Sequence, residues 1–176
     1  MPFLSGTYQA FVARKEAHQA HREKKKQMRK SKIVPVATSV RCYPLRYGPG
    51  VELIGSLHEL IDDCNLKSIF IITCIGNIKS CIIKLSNTLE YKPINSTCDI
   101  VSLVGTFDSE GGHHIYGSFA DARGNIISGQ IESLIVHQTI EILLAECNDA
   151  IFVREHDTRT GENELVVKRK PFTEQD

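Results

Sequence analysis

The fold is decided by residues 48–85, which read GPGVELIGSLHELIDDCNLKSIFIITCIGNIKSCIIKL. After a Gly-Pro-Gly turn, apolar residues recur at helical spacing until Asn65, which is placed to end a helix. These apolar residues are Leu53, Ile54, Leu57, Leu60, Ile61 and Cys64. Two β-branched runs follow, at 67–75 and 79–85, separated by Gly76-Asn77-Ile78. The stretch therefore predicts one helix and then a β-hairpin whose loop places Gly or Asn at positive φ.

The segments on either side add more strands. The strand-like segments are 40–47, 97–107, 114–120 and, as a final hairpin, 150–154 with 165–168. Pro44 suggests that the first of them lies at a sheet edge. Residues 131–146 suit either a buried strand pair or a helix, and periodicity does not choose between them. With one main helix and about seven strands, the sequence predicts a compact α+β domain, mostly antiparallel sheet.

Composition limits the class of protein. The chain has 176 residues, of which 41% are hydrophobic and 24% are charged, as in one soluble globular domain. The longest apolar runs, such as 69–75, are too short to cross a membrane, so no membrane partner is expected. The first residues lack the features of a secretory signal. We therefore expect an intracellular protein whose six cysteines are free thiols.

The net charge is zero because a basic arm and an acidic body balance each other. Between Arg14 and Lys32 lie nine basic and two acidic residues, a net charge of +7, so the rest of the chain carries −7. The segment has almost no apolar residue that could dock it on a core, and we expect a disordered or loosely helical arm. The predicted organisation is a basic arm at 1–32, a folded domain at 33–170 and a polar tail at 171–176.

Familiar catalytic and metal-binding patterns are missing. No Cys-x-x-Cys pair occurs, which excludes a zinc-ribbon metal site and a thioredoxin-like redox site. Cys64, Cys74, Cys81 and Cys98 lie in apolar stretches, where we expect buried, inert thiols. The Gly48-x-Gly50 turn lacks the Gly-Lys-Ser/Thr of a phosphate loop. No catalytic residue is predicted.

One predicted strand carries polar side chains that could form a binding site. In 111–121 the sequence is GGHHIYGSFAD, and strand alternation places His114, Tyr116 and Ser118 on one face with Ile115 and Phe119 on the other. A His-x-His pair could bind a metal from such a face, but the second position here is Tyr116. A structural His–Tyr pair is therefore the simpler interpretation.

The ordered motifs resemble the plants and prokaryotes conserved (PPC) domain family over roughly residues 40–146. The segments that carry the resemblance are Tyr47-Gly48-Pro49-Gly50, the helical leucines of 53–60, and residues 71–76, 100–107 and 114–126. The resemblance implies a compact α+β fold that assembles as a homotrimer. In plants the family joins this domain to a DNA-binding AT-hook and regulates transcription in the nucleus. Many prokaryotic relatives carry three histidines that look like a metal site.

Matched residue by residue, this chain keeps one of those histidines. His114 occupies the first position, Tyr116 the second and Gln130 the third. Neither Tyr nor Gln is a usual zinc ligand, so the resemblance implies a degenerate pocket with no metal and no cofactor. The arm also lacks the Arg-Gly-Arg-Pro core with which plant members enter the minor groove.

Two functions of different classes follow. The first is a non-enzymatic homotrimeric scaffold whose arm associates with DNA or chromatin and directs import into the nucleus. The residues assigned to binding or import are Arg22, Lys24, Lys25, Lys26, Arg29, Lys30 and Lys32. The second is a small-molecule-binding protein or enzyme with a pocket at His114, Tyr116 and Gln130. A third interpretation of the arm is a solubilising tail without a partner.

Overall fold

The computed structural model describes residues 13–20, 22, 35–85 and 90–171. Contacts divide the chain into two units, Met1–Pro35 and Val36–Asp176. In the first unit, residues 13–20 and 22 are helical and their side chains are exposed. In the described residues, no helix has both the length and the hydropathy that crossing a membrane requires.

The second unit contains one helix and eight strands among its described residues. In chain order these are β1 (Val40–Tyr47), α1 (Leu53–Asp63), β2 (Ile69–Lys84), β3 (Tyr91–Ile94), β4 (Cys98–Phe107), β5 (His113–Ala120), β6 (Ile126–Cys147), β7 (Ala150–Asp157) and β8 (Glu162–Arg169). Every strand pairing is antiparallel. The prediction of an α+β domain dominated by antiparallel sheet is confirmed.

Six strands form a sheet that closes on itself. The order is β1-β6-β5-β4-β2-β3, and an additional pairing of β6 with β2 completes a ring of β2, β4, β5 and β6. Side chains that alternate inward along this ring form the core, including Ile78, Ile115, Phe119 and Leu134, all fully buried. Strands β7 and β8 form a separate two-stranded sheet.

The predicted hairpin at 67–85 is wrong, because this segment is the single strand β2. Gly76 does adopt a positive φ of 133°, but at an irregularity of the β2–β6 pairing and not in a hairpin loop. A Cβ there would overlap the carbonyl oxygen of Thr139. The glycine thus allows a close approach of two backbones where a long strand bends around the ring.

Residues 131–146 form neither a helix nor a strand pair but most of the single strand β6. β6 pairs with β5 near its start, with β2 along most of its length and with β1 near its end. Because β6 pairs with three strands, it is longer than the local sequence pattern predicts. β1 pairs with β6, and its Pro44 lies opposite Leu143, which agrees with the predicted edge position.

Helix α1 packs on the core, and its bounds agree with the prediction. Glu52 caps its start, since its carboxylate accepts hydrogen bonds from the amides of Ile54 (3.4 Å) and Gly55 (2.6 Å). Asn65 follows the end of the helix with φ 53° and donates its amide to the Asp62 carbonyl. Cys64 is exposed at the helix end, so its predicted burial is wrong, whereas Cys74, Cys81 and Cys98 are buried as expected.

Candidate functional site

The structure places His114 and Tyr116 side by side on the outer face of β5. Both side chains are exposed, Ile115 between them is buried, and the His114 and Tyr116 rings are 5.1 Å apart between centroids. Antiparallel pairing aligns Thr106 with His114 and Val104 with Tyr116. The predicted alternation of faces is therefore correct.

Gln130 lies opposite Tyr116 on the next strand. The β5–β6 register pairs Tyr116 with Gln130, and the β2–β6 register pairs Gln130 with Lys84. Directly paired residues of antiparallel strands project from the same face. Tyr116 and Gln130 are thus neighbours on the outer wall, and Gln130 is half-buried.

The chemistry of this trio is hydrogen bonding. It offers one imidazole, one phenol and one amide, and it contains no carboxylate or thiolate. Within the part of the chain that the structure describes, no three His, Cys, Asp or Glu residues lie together as a metal site would need. The buried thiols of Cys74 and Cys81 are also poor nucleophiles, since burial raises the pKa of each to about 12.

The basic arm is only partly described. Arg22 lies in a helical segment and is exposed. The other predicted binding or import residues lie outside the described residues: Lys24, Lys25, Lys26, Arg29, Lys30 and Lys32.

A second polar cluster, which the sequence did not indicate, lies between α1 and the start of β5. The ring nitrogens His58 Nε2 and His113 Nδ1 are 2.9 Å apart, so one ring donates and the other accepts. Phe107 packs edge-on against His58, with ring centroids 5.2 Å apart. Burial lowers the pKa of His113, and His58 and Arg154 lower it further, whereas Glu132 and Asp108 oppose them.

The neighbouring Asp108 is a buried carboxylate with three donors. Its Oδ1 accepts the amides of Glu110 and Gly112, each at 2.9 Å, and its Oδ2 accepts Arg154 Nε at 2.9 Å. Arg154 Nη2 also donates to Thr106 at 3.4 Å. This arrangement fixes the loop after β4 and holds it against β7.

The sequence signal for these groups was weak. His58 and His113 are 55 positions apart, and neither belongs to a metal-binding or catalytic spacing. The one usable sign was Asp108 at the end of a strand before Gly111 and Gly112, a pattern typical of a carboxylate that caps a tight loop.

Comparison with known proteins agrees with this fold. Residues 35–148 match the family model described as the Plants and Prokaryotes Conserved (PCC) domain. The chain is 28% identical over 132 residues to the bifunctional protein GlmU of a Synechococcus strain, a match that spans 74% of this chain. It spans only 21% of that relative's length.

Several solved structures share the fold. A hypothetical protein from Salmonella superposes with a TM-score of 0.75 at 24% identity, over 77% of this chain and 99% of its own. A metal-containing protein from Archaeoglobus fulgidus has a TM-score of 0.67 at 20% identity, over 76% and 99%. A candidate DNA-binding protein from Bacteroides thetaiotaomicron has a TM-score of 0.63 at 16% identity, over 74% and 98%.

Proposed function

Because the chain belongs to the Plants and Prokaryotes Conserved (PCC) domain family, we propose that it is a non-enzymatic scaffold whose body forms a homotrimer and whose basic arm associates with nucleic acid. The observation that carries this proposal is the charge division, +7 between Arg14 and Lys32 against −7 elsewhere. A basic segment attracts phosphate, and an acidic body repels it.

The outer wall of the body supports self-association. Several large apolar side chains are exposed there, among them Val104 at 53% and its cross-strand partner Tyr116 at 42%. Exposed apolar groups that share a surface are typical of an interface between proteins. Three copies would bring three arms together, which multiplies weak phosphate contacts into useful affinity.

The arm is also suited to nuclear import, because it combines Lys24, Lys25 and Lys26 with Arg29 and Lys30. The structurally similar Bacteroides protein is a candidate DNA-binding protein. That description agrees with a nucleic-acid-binding role for this chain, in which the basic arm would make the contacts.

Truncation tests the proposal. Full-length protein should bind labelled duplex DNA at low salt, and a variant lacking residues 1–32 should not. A matched control changes three lysines of the body, Lys67, Lys79 and Lys92, to Gln, and should bind like the parent. If the truncated body binds as tightly, or if the full-length protein does not bind, the arm has another purpose and the nucleic-acid role fails.

A second candidate function is binding of a small polar molecule at His114, Tyr116 and Gln130. The cross-strand alignment of Tyr116 with Gln130, beside the His114 ring, favours it. Such binding should survive removal of residues 1–32 and should be lost when Tyr116 and Gln130 are both changed to Ala. Observation of a bound molecule by native mass spectrometry, followed by its loss in the double variant, would support it.

A further inference from the structure

A continuous row of paired residues crosses the outer wall of the body from β4 to β3. Successive registers pair Val104 with Tyr116, Tyr116 with Gln130, Gln130 with Lys84 and Lys84 with Tyr91. Directly paired residues of antiparallel strands project from the same face. Tyr91, Lys84 and Gln130 are therefore three neighbours on one wall, here called the Lys84 site.

The Lys84 site contains two hydrogen-bond donors that the described residues leave without a partner. Lys84 and Gln130 are both half-buried, and neither side chain has a hydrogen bond or an ion pair within the described part of the chain. Lys84 is also the one charged residue of the row. The Lys84 ammonium and the Gln130 amide are thus adjacent donors without an acceptor, and such a pair suits a bound anion.

An exposed aromatic ring lies at the end of the site. Tyr91 is 56% exposed. The next outward-facing pair on these two strands is Ile82, which is 41% exposed, with Pro93. Alternate residues of a strand share a face, so these side chains project from the same wall as Tyr91. Together they form an apolar platform on which a planar ring can stack.

The spacing between this platform and the donors indicates the class of ligand. Neighbouring strands lie about 4.8 Å apart, so Tyr91 on β3 and Gln130 on β6 are about 9.5 Å apart, with Lys84 on β2 between them. A ring that carries its acid directly, such as benzoate, is too short to stack on the platform and reach both donors. A nucleotide has its planar base and its phosphate separated by a sugar, which matches the span.

We propose that the Lys84 site binds a nucleotide, with the base stacked on Tyr91 and the phosphate held by Lys84 and Gln130. This inference deepens the second candidate function, because it shares Gln130 with that pocket and names the class of molecule bound. Stacking on an aromatic side chain tolerates every base. The nucleotide is either free or part of a single strand, and a further base of a strand would reach Tyr116. The free form does not need Tyr116, which also belongs to the apolar surface that supports self-association.

Calorimetric titration of the full-length chain with adenosine 5′-monophosphate (AMP) tests the proposal. The chain outside Arg14–Lys32 carries a net charge of −7, so we expect weak binding, with a dissociation constant of about 10 μM to 1 mM at low salt. Adenosine lacks the phosphate and ribose 5-phosphate lacks the base, so each should bind about tenfold more weakly than AMP or worse. Equal binding of AMP and ribose 5-phosphate, or no binding of AMP at about 1 mM, would overturn the inference.

Paired variants locate the binding site. Lys84→Gln should weaken AMP binding about tenfold or more, whereas Lys79→Gln, which changes an exposed lysine of the same strand, should bind like the parent. Tyr91→Ala should weaken AMP binding by a similar factor, and Tyr91→Phe should keep most of the affinity because stacking needs only the ring. Unchanged affinity in Lys84→Gln or in Tyr91→Ala contradicts the assignment. Circular dichroism melting of each variant checks that the body stays folded.

A single-stranded oligothymidylate distinguishes the two sources of the nucleotide. If the ligand is part of a strand, the oligonucleotide should bind more tightly than AMP, and both Tyr91→Ala and Tyr116→Ala should weaken its binding. If the ligand is a free nucleotide, the oligonucleotide should bind no more tightly than AMP, and Tyr116→Ala should leave AMP binding unchanged. Either result supports a nucleotide site, whereas binding of the oligonucleotide that is insensitive to Tyr91→Ala and Lys84→Gln contradicts it.

The outcomes separate this inference from both proposed functions. Lys84→Gln should bind duplex DNA like the parent, because the basic arm makes those contacts. Loss of duplex binding in the parent, with AMP binding intact, therefore removes only the role of the arm. A bound molecule that is released by changing Tyr116 and Gln130 but is not a nucleotide, together with no binding of AMP, overturns this inference and leaves the second candidate function standing.

Discussion

Arg154 Nε donates to Asp108 Oδ2 across 2.9 Å, and this pair joins the hairpin β7–β8 to the loop after β4. Asp108 lies within the residues that match the family model, whereas Arg154 lies beyond residue 148, where the match ends. The Asp108 side chain is 1% exposed and that of Arg154 17%. The ion pair is therefore a buried attachment between the family domain and the strands that follow it.

Removing Arg154 should destabilise the body strongly. Arg154→Met leaves the buried Asp108 carboxylate without its charged partner, although two backbone amides still donate to it. The expected loss in the free energy of unfolding is about 3 kcal/mol, measured by urea denaturation. Lys168→Met is the control, because the Lys168–Glu155 pair on the same hairpin is about half exposed and should cost less than about 0.5 kcal/mol. Equal losses in the two variants would contradict a buried attachment.

The His58–His113 pair should make stability depend on pH between about 7 and 5. The pKa of His113 is lowered in the folded state. On acidification, His113 therefore binds a proton at a higher pH in the unfolded chain than in the folded chain. Stability is therefore fully present above the ordinary histidine pKa of about 6.5 and is lost as the pH falls through the folded pKa. Urea denaturation at several pH values should show a decreasing free energy of unfolding on acidification.

Two variants locate the source of this dependence. His113→Asn should remove most of it, and His58→Gln should reduce it while the effect of burial on His113 remains. His156→Gln, at an exposed position of β7, should keep the parent dependence. Stability that stays constant from pH 7 to 5, or an unchanged slope in His113→Asn, would contradict the assignment.

Metal binding should be absent in the parent chain and recoverable by substitution. Tyr116→His with Gln130→His places two further imidazoles next to His114, because residue 116 shares its face and residue 130 lies opposite residue 116. We expect well under one zinc per chain in the untagged parent and about one in the double variant, by elemental analysis.

The control for this prediction adds His114→Ala to the double variant, which should lose the zinc. Stoichiometric zinc in the parent would show that Tyr116 and Gln130 do not prevent binding. A double variant that stays free of zinc would contradict the inferred arrangement of the three positions.

The sequence predicted elements whose signals are local. Helix α1 was predictable because its buried residues recur at one period and Asn65 ends it. The outward face of β5 followed from simple alternation around Ile115. The short strand β3 was not predicted, since it has four residues and contains Pro93.

Other features depend on pairing between distant residues. The positive φ of Gly76 was expected, but whether it forms a hairpin or a bulge is decided by the approach of Thr139 on β6. The length of β6 reflects its three partner strands. His58 and His113 are brought together by the packing of α1 on the sheet, which no local pattern reports. Long-range pairing is thus what the sequence alone could not provide.

The salt dependence of DNA binding tests the central claim most directly. If roughly five of the nine basic side chains between Arg14 and Lys32 contact phosphate, the plot of log affinity against log salt should have a slope of about −4 to −5 for one arm. Affinity should then fall more than about a hundredfold between roughly 50 and 200 mM salt, with little dependence on sequence. A slope near zero, or the same slope in a variant lacking residues 1–32, would contradict a nucleic-acid role for the arm.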